Sequence, residues 1–210
     1  MKKQLIAVVS ALAMTFTSLP CVSIATENVP KPVVQYTFDG NKQLADQNGK
    51  NELKLSGGAS VTDDGNKGKG LLLDGTDGYA ELPDNILSSD MTITTWVKIN
   101  KFTTWGRVFD FGTDSNQNFF FAPYSSGASR VEIKNGATVD TMDCAQETAK
   151  EWVNYAITIK GDTVSYYRNG RLIKSKSGIK DISELTNTAN YIGKSHYDGD
   201  AYLSAVVDDF

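Results

Sequence analysis

The chain has 210 residues, a length that a single all-β domain can occupy. Its 21 basic and 25 acidic side chains give a formal net charge of −4. The chain lacks the excess of basic side chains that would displace the counterions of nucleic acid, so we expect no nucleic-acid partner. The 40% hydrophobic content argues against disorder over most of the chain, and the 18 glycines favour short strands with tight turns over a helical bundle.

The N-terminus has the pattern of a secretory signal peptide. Lys2 and Lys3 precede an apolar run over residues 5–16, which is shorter than the roughly 20 residues of a membrane-spanning helix. Small side chains before and at Ala25 predict cleavage after that residue. We therefore expect a secreted, extracellular protein without a membrane span.

The predicted domains are the signal peptide over residues 1–25, an extended lead-in over 26–32 and one folded domain over 33–210. Acylation of Cys21 is an alternative that the proline immediately before it disfavours. Cleavage also removes two of the 21 basic side chains, which leaves 19 against 25 acidic ones. Only Cys144 then remains, so no intrachain disulfide can form, and packing or a metal must stabilise the fold.

Strand signals follow one another from residue 33 onward. Residues 91–99 alternate with period two, which places Ile93 and Val97 on one face and Trp96 on the other. Turn-forming pairs predict hairpins at 135–136, 161–162 and 169–170.

Two stretches of the sequence, residues 141–151 and 179–185, are compatible with a helical turn. The remaining pattern predicts roughly ten to thirteen strands in two stacked antiparallel sheets.

Four groups of segments, taken in chain order, carry a resemblance to a known protein family. They are YTFDG at 36–40, GLLLDGTDGYAELP at 70–83 leading into MTITTWV at 91–97, EWVNYA at 151–156 with YRNG at 167–170, and YIG at 191–193 with VDDF at 207–210. Together they resemble the LamG-like jelly-roll domains of the concanavalin A-like lectin/glucanase superfamily.

The resemblance implies a two-sheet antiparallel jelly-roll sandwich over residues 33–210. It also implies an extracellular accessory module of the kind appended to bacterial glycoside hydrolases that cut arabinan or xylan. The sequence departs from the pattern at Asn154, where members commonly have histidine, and at Ala205, where they commonly have glycine. Members also continue beyond the position of Phe210, so we expect a chain truncated at its C-terminus and followed by a catalytic domain in the full-length protein.

Acidic residues do not form a glycosidase signature in this sequence. A catalytic jelly roll of the glucanase type needs carboxylates clustered on one strand face, whereas Glu81, Glu132 and Glu151 are isolated and Asp208 and Asp209 are adjacent. Adjacent residues of a strand point to opposite faces. We therefore expect no catalytic activity in this chain.

Metal binding has one candidate, a structural calcium ion. His196 is the only histidine, which excludes sites that need two, and calcium instead takes oxygen ligands. The resemblance implies that the terminal strands pair and hold such an ion, which places Asp39, Asp208 and Asp209 at the site. The alternative is that Asp39 serves its turn and the late aspartates bond to loop backbone.

Carbohydrate contact is predicted at a loop edge. Trp105 lies with Arg107 in a turn-rich stretch, where a large aromatic side chain has little reason to be buried. Aromatic faces suit the apolar faces of sugar rings. The predicted site therefore combines Trp105, Arg107, Tyr124, His196 and Tyr197, with an exposed loop histidine as the alternative for His196.

Two further tryptophans have two possible roles. Trp96 and Trp152 lie opposite the aliphatic faces of their strands. They could form the floor of a sugar-binding groove, or they could pack beneath loops.

The hypothesis that accounts for these features is a secreted, non-catalytic carbohydrate-binding module attached to a polysaccharide-degrading glycoside hydrolase, with plant cell-wall polysaccharide as its partner. A structural or adhesive spacer that contacts proteins is the first alternative. A catalytic jelly-roll glycanase is the second.

Overall fold

The computed structural model describes residues 31–180 and 182–210. The predicted signal peptide and all but the last two residues of the lead-in lie outside the described residues. Val33–Phe210 forms one compact unit. None of the helical segments in the described ranges has the length and hydropathy needed to cross a membrane.

The described residues form fourteen strands and one short 3₁₀ helix. The first seven strands are β1 (Lys54–Ser56), β2 (Ser60–Thr62), β3 (Gly70–Asp74), β4 (Tyr79–Leu82), β5 (Met91–Lys101), β6 (Phe109–Asp114) and β7 (Gln117–Ala122). The others are β8 (Ala128–Asn135), β9 (Thr138–Ala145), β10 (Trp152–Lys160), β11 (Thr163–Arg168), β12 (Arg171–Ser177), β13 (Ala189–Ile192) and β14 (Ser204–Asp208).

The strands form two seven-stranded sheets in which every pair is antiparallel. The first sheet has the order β1-β4-β13-β6-β7-β8-β9, and the second has the order β12-β11-β10-β5-β14-β3-β2. This arrangement confirms the predicted all-β, two-sheet antiparallel jelly-roll sandwich.

Period-two alternation positions the core between the sheets. In β5, Ile93, Val97 and Ile99 are buried while Thr92 and Thr94 are exposed, as the sequence predicts. Both sheets and the segment before β1 supply aromatic rings to this core. Burying rings of this size is a large part of the hydrophobic stabilisation of a core. The fully buried aromatic side chains of the core are Tyr36, Phe38, Phe109, Phe111, Phe119, Phe121, Tyr155 and Tyr166.

The two expected helical stretches have different outcomes. Ile182–Glu184 forms a 3₁₀ helix, which confirms a helical turn within 179–185. The turn expected within 141–151 is wrong, because β9 extends through Ala145 and pairs with β8 along its whole length. Cross-strand pairing therefore overrides the weak local helix signal.

The first and last described segments of the unit meet. Tyr36 N donates to Phe210 O at 2.7 Å, and Phe210 N donates to Tyr36 O at 3.0 Å. This pairing brings the turn after Phe38 close to the end of β14.

Candidate functional site

The outer face of the first sheet carries a row of large and polar side chains. Glu81, Tyr191, Asp110, Phe120 and Glu132 occupy paired positions on β4, β13, β6, β7 and β8. Their neighbours along each strand point into the core, so this row points away from it. Residues 193–203, which connect β13 to β14, cross over this row and are called the cover loop below.

His196 fixes the cover loop to the middle of the row. Its Nδ1 lies 2.8 Å from Asp110 Oδ1, and its Nε2 lies 2.9 Å from the carbonyl oxygen of Ala189. The backbone N–H of His196 also donates to Asp110 Oδ2 at 3.1 Å. Because only 4% of the His196 side chain is exposed, the alternative of an exposed loop histidine is wrong.

Arg107 lies beneath the predicted loop-edge site with 1% of its surface exposed. Its Nη1 donates to the carbonyl oxygen of Trp105 at 2.9 Å, and its Nη2 donates to Asp200 Oδ2 at 2.9 Å. The guanidinium carbon lies 3.7 Å from the centre of the Phe120 ring. Burial lowers the pKa of Arg107, and the carboxylates around it, led by Asp110, oppose that shift.

Trp105 is held in a strained conformation by these contacts. Its φ is 64°, a left-handed value that is uncommon for a bulky side chain. Its backbone N–H donates to Tyr124 O at 3.0 Å, while Arg107 binds its carbonyl. The half-buried Trp105 ring lies 5.2 Å from the guanidinium carbon of Arg130.

Tyr197 faces the same cluster from the cover loop. The guanidinium carbon of Arg107 is 5.9 Å from the Tyr197 ring and 5.3 Å from the Trp105 ring. Lys134 Nζ lies 3.4 Å from the Tyr197 hydroxyl and 5.3 Å from its ring.

The five predicted sugar-contact residues therefore belong to one region. Trp105, Tyr124 and Tyr197 are half-buried, whereas the side chains of Arg107 and His196 lie underneath. Tyr124 joins the region through its backbone carbonyl, and its ring packs 5.3 Å from the ring of Phe102. The two buried side chains can position the surface residues. They have little surface to offer a ligand directly.

Sequence reasoning missed Asp110 and Asp200, which connect this region. Asp110 lies between Arg107 Nε, at 3.5 Å from its Oδ2, and the ring of His196. Asp200 accepts from Arg107 and from the Ser195 hydroxyl, the latter at 2.8 Å. Neither aspartate has a local sequence signature, because each has one partner that is distant in the chain, His196 for Asp110 and Arg107 for Asp200.

Three carboxylates share the outer row although they are isolated in the sequence. Tyr191 separates Glu81 from Asp110, and Phe120 separates Asp110 from Glu132, so neighbouring carboxylates are two strands apart, or about 10 Å. Asp110 is fully buried against Arg107 and His196. Glu132 is 8% exposed and accepts from Arg130 and Thr141. This pairing gives Asp110 and Glu132 structural roles.

The predicted calcium residues meet at the paired ends of the domain. Asp39 Oδ1 accepts from Lys69 N at 2.9 Å, and Asp208 Oδ2 accepts from Lys67 N at 3.0 Å. Burial first, then the charges of Asp208 and Asp39, raise the pKa of Asp209. Among the described residues, no group of three histidine, cysteine, aspartate or glutamate side chains is arranged as a metal site.

Trp96 and Trp152 lie on the outer face of the second sheet. Both are half-buried, and the paired positions of Trp96 and Asn154, and of Trp152 and Lys98, place them on neighbouring strands. Lys98 Nζ lies 5.2 Å from the Trp152 ring. Neither tryptophan belongs to the core between the sheets.

Two surface cavities lie away from the Trp105 region. One, of about 510 Å³, lies beside Glu81 and Tyr191, and the other, of about 420 Å³, is formed by the segment from Asn41 to Glu52. Trp105 and Tyr197 line neither of them.

The sequence and the fold are similar to those of known proteins. The family model of the Laminin_G_3 domain, described as the concanavalin A-like lectin/glucanases superfamily, matches residues 74–210. The chain belongs to this superfamily. This membership agrees with the resemblance drawn from the order of the sequence motifs.

One curated relative and two solved structures illustrate the similarity. The chain is 29% identical over 207 residues to an alpha-L-arabinofuranosidase of Bifidobacterium longum subsp. longum, an alignment that covers 86% of this chain and 19% of that protein. The structure is also similar to domain 4 of AbnA, a GH43 extracellular arabinanase from Geobacillus stearothermophilus, in complex with arabinotriose. That match has a TM-score of 0.72 at 22% identity and covers 84% of this chain and 88% of the other. The binding domain of botulinum neurotoxin DC in complex with rat synaptotagmin II has a TM-score of 0.66 at 16% identity, covering 84% and 46% respectively. At these identities the structural matches show a shared fold.

Proposed function

We propose that this protein is a secreted, non-catalytic carbohydrate-binding module attached to a larger glycoside hydrolase that degrades arabinan-type or xylan-type polysaccharide. The observation that carries the proposal is the pair of half-buried rings, Trp105 and Tyr197, whose centres lie 5.3 and 5.9 Å from the buried guanidinium carbon of Arg107. Catalysis is left to the attached domain.

The relatives support the choice of ligand. One is an arabinofuranosidase, of which the chain spans 19% of the length, and another is a domain of an arabinanase in complex with arabinotriose. A match to so small a part of an enzyme is what an accessory module predicts. Arabinan is therefore the first glycan to test.

The chemistry of the Trp105 region suits a sugar. Tryptophan and tyrosine rings offer apolar area to the C–H faces of a sugar, while nearby polar groups bond its hydroxyls. Lys134 and Arg130 supply donors beside the two rings. Arg107 and His196 hold the two loops in place, so the rings are positioned before the ligand arrives.

Affinity electrophoresis tests the proposal. The protein is run through gels that contain arabinan, xylan or β-glucan, and we expect retardation by arabinan or xylan that Trp105→Ala relieves. Trp152→Ala is the matched comparison, because that half-buried tryptophan lies on the other sheet, and relief of retardation in it instead of in Trp105→Ala would move the sugar contact to that sheet. Absence of retardation by every glycan would overturn the proposal in favour of a protein-contacting spacer, and release of reducing sugar by the purified chain would revive the glycanase alternative.

Secretion and the cleavage site can be measured directly. Expression in a bacterial host followed by mass spectrometry of the culture medium is expected to recover a chain that begins after Ala25. Retention of an acylated Cys21 in the membrane fraction would contradict this cleavage site.

We further propose that a structural calcium ion binds at Asp39, Asp208 and Asp209. The proposal rests on charge, because the charges of Asp208 and Asp39 add to burial in raising the pKa of Asp209. Asp39 and Asp208 also accept from backbone N–H groups of one loop, at Lys69 and Lys67, as the alternative to a calcium site expects. Since few side chains converge there, backbone carbonyls of that loop would complete an oxygen set. The bound ion would neutralise the repulsion and pin the paired ends of the domain.

Thermal unfolding with calcium or with a chelator tests this site. A calcium concentration of 100 times the Kd is expected to add about 3 kcal/mol of stability. Asp209→Asn is expected to abolish that gain and to stabilise the calcium-free protein, because it removes one member of a like-charged set. Equal unfolding temperatures with calcium and with chelator would contradict the proposal.

A further inference from the structure

We infer that the protein has a second glycan subsite, in the groove beside Tyr191 on the other side of the cover loop from Trp105. This inference rests on the proposed function and adds to it a location and a ligand class, a neutral oligosaccharide. The groove has a volume of about 510 Å³, which is within the range of small-molecule sites.

The groove lies along the β1-β4-β13 edge of the first sheet. Its walls come from three separate parts of the chain, namely the segment from Lys50 to Lys54, the residues from Glu81 to Asp84, and the residues from Thr188 to Tyr191. β4 pairs with both β1 and β13, so the central part of this floor is hydrogen-bonded sheet. A site on a paired sheet keeps its shape better than one on an isolated loop.

The charges in the groove favour a neutral ligand. Its walls hold two lysines, Lys50 and Lys54, and three carboxylates, Glu52, Glu81 and Asp84. Because both signs are interspersed with a small negative excess, an anionic sugar chain would meet more repulsion than attraction. Hydroxyl groups, in contrast, can donate to the carboxylates and accept from the ammonium groups.

Tyr191 is the aromatic residue among those that line this groove, and its ring is fixed from several sides. Its ring lies 5.6 Å from Tyr79, edge to face, and 5.0 Å from His196. Lys194 Nζ lies 4.5 Å from the centres of both tyrosine rings. Ordering Tyr191 in advance lowers the entropy lost when a sugar packs against it.

The cover loop separates this groove from the Trp105 region. Lys194 contacts Tyr191 on β13, His196 covers Asp110 on β6, and Tyr197 reaches Lys134 on β8. β13 and β8 are three strand spacings apart, or about 14 Å. The two surfaces can therefore act as separate subsites, and a polysaccharide that reaches both would gain avidity.

Groove-filling variants test the second subsite. Ala189→Leu places bulk in the groove without removing a side-chain polar contact. Thr188→Tyr adds bulk from an exposed position at the rim and removes the 3.4 Å contact between the Thr188 and Thr113 hydroxyls. A folding defect in one variant leaves the other usable. Binding is measured by calorimetry with arabinotriose, a longer linear arabino-oligosaccharide, arabinan and polygalacturonate. Thermal unfolding verifies that each variant is folded.

We expect either filling variant to weaken arabinan binding about tenfold or more, and Trp105→Ala combined with a filling variant to abolish it. Wild-type affinity in both folded filling variants, with loss in Trp105→Ala, would overturn the second subsite and leave the proposed function intact. Failure of the wild-type protein to bind any glycan would overturn both. Tighter binding of polygalacturonate than of arabinan would overturn the neutral ligand class.

Discussion

Arg107 Nη2 and Asp200 Oδ2 lie 2.9 Å apart and join two loops that are 93 positions apart in the chain. The pair is largely withdrawn from water, with 2% of the Arg107 side chain and 18% of the Asp200 side chain exposed. The same guanidinium binds the carbonyl of Trp105. One buried cation therefore sets the position of both surface rings of the candidate site.

We predict that Asp200→Ala destabilises the protein by about 2–4 kcal/mol, because the buried guanidinium then keeps the carbonyl of Trp105 and only the longer ion pair to Asp110. Urea unfolding measures the loss, and arabinan binding is expected to weaken with it. Asp198→Ala is the control, since Asp198 is exposed in the same loop. Equal stability of the two variants would contradict this role of the ion pair.

A second prediction concerns alkaline pH. Tyr155 and Tyr166 both donate to the buried carboxylate of Glu147, and burial, followed by the charge of Glu147, raises the pKa of each well above the usual 10.0. The unfolded chain ionises these hydroxyls near pH 10 while the folded chain does not. Stability is therefore fully present below that pH and is lost as pH rises above it.

Tyrosine absorbance near alkaline pH, recorded beside circular dichroism, measures this effect. We expect the ionisation of Tyr155 and Tyr166 to coincide with loss of the fold. Tyr166→Phe is expected to cost about 1–3 kcal/mol at neutral pH, because Glu147 loses a donor while remaining buried. Tyr167→Phe serves as the comparison, since it changes the neighbouring tyrosine on the same strand.

A third prediction concerns the turn between β3 and β4. Asp74 Oδ1 accepts from the backbone N–H groups of Thr76, Asp77 and Gly78, and these bonds lower the pKa of the Asp74 carboxyl. We expect Asp74→Ala to cost about 1 kcal/mol at neutral pH, comparable to loss of a helix cap.

The pH dependence distinguishes this role from simple packing. Because the pKa of Asp74 is lower in the folded state, its contribution is present above the usual 3.8 and is lost as pH falls through the lowered value. The stability difference between wild type and Asp74→Ala should therefore shrink in acid. A difference that stays constant from neutral pH to pH 2 would contradict the assignment.

A fourth prediction concerns Cys144. Burial is the main cause that raises the pKa of its thiol, and the thiolate is the reactive form. In a Cys21→Ser chain, we expect iodoacetamide to modify Cys144 several-fold more slowly in the folded protein than in urea at the same pH. A faster reaction in the folded state would indicate an activated thiol.

Much of the fold was predictable because it depends on neighbours in the chain. The alternation over β5 assigns Ile93 and Val97 to the core and Trp96 to the outer face, and the structure confirms each. The turns at 135–136, 161–162 and 169–170 join consecutive strands as predicted. These features follow from residue spacing and turn chemistry, which act within a few positions.

The candidate site was predictable only in part. The sequence brought Trp105, Arg107, Tyr124, His196 and Tyr197 into one hypothesis, and the structure places them in one region. It could not reveal that Arg107 and His196 are buried, because that burial depends on Asp110, Asp200 and the crossing of the cover loop. The groove beside Tyr191 was also missed, since its walls come from three distant segments.

The sequence by itself determined the two-sheet sandwich, because strand periodicity and turn residues are local properties of the chain. The order of its motifs carried the resemblance to the superfamily. The tertiary structure alone decided which side chains reach the surface of the outer face and which support them. The physical reason is that a charged side chain is buried only where opposite charges and polar atoms meet it. In this protein, those partners come together only when distant loops close over the sheet.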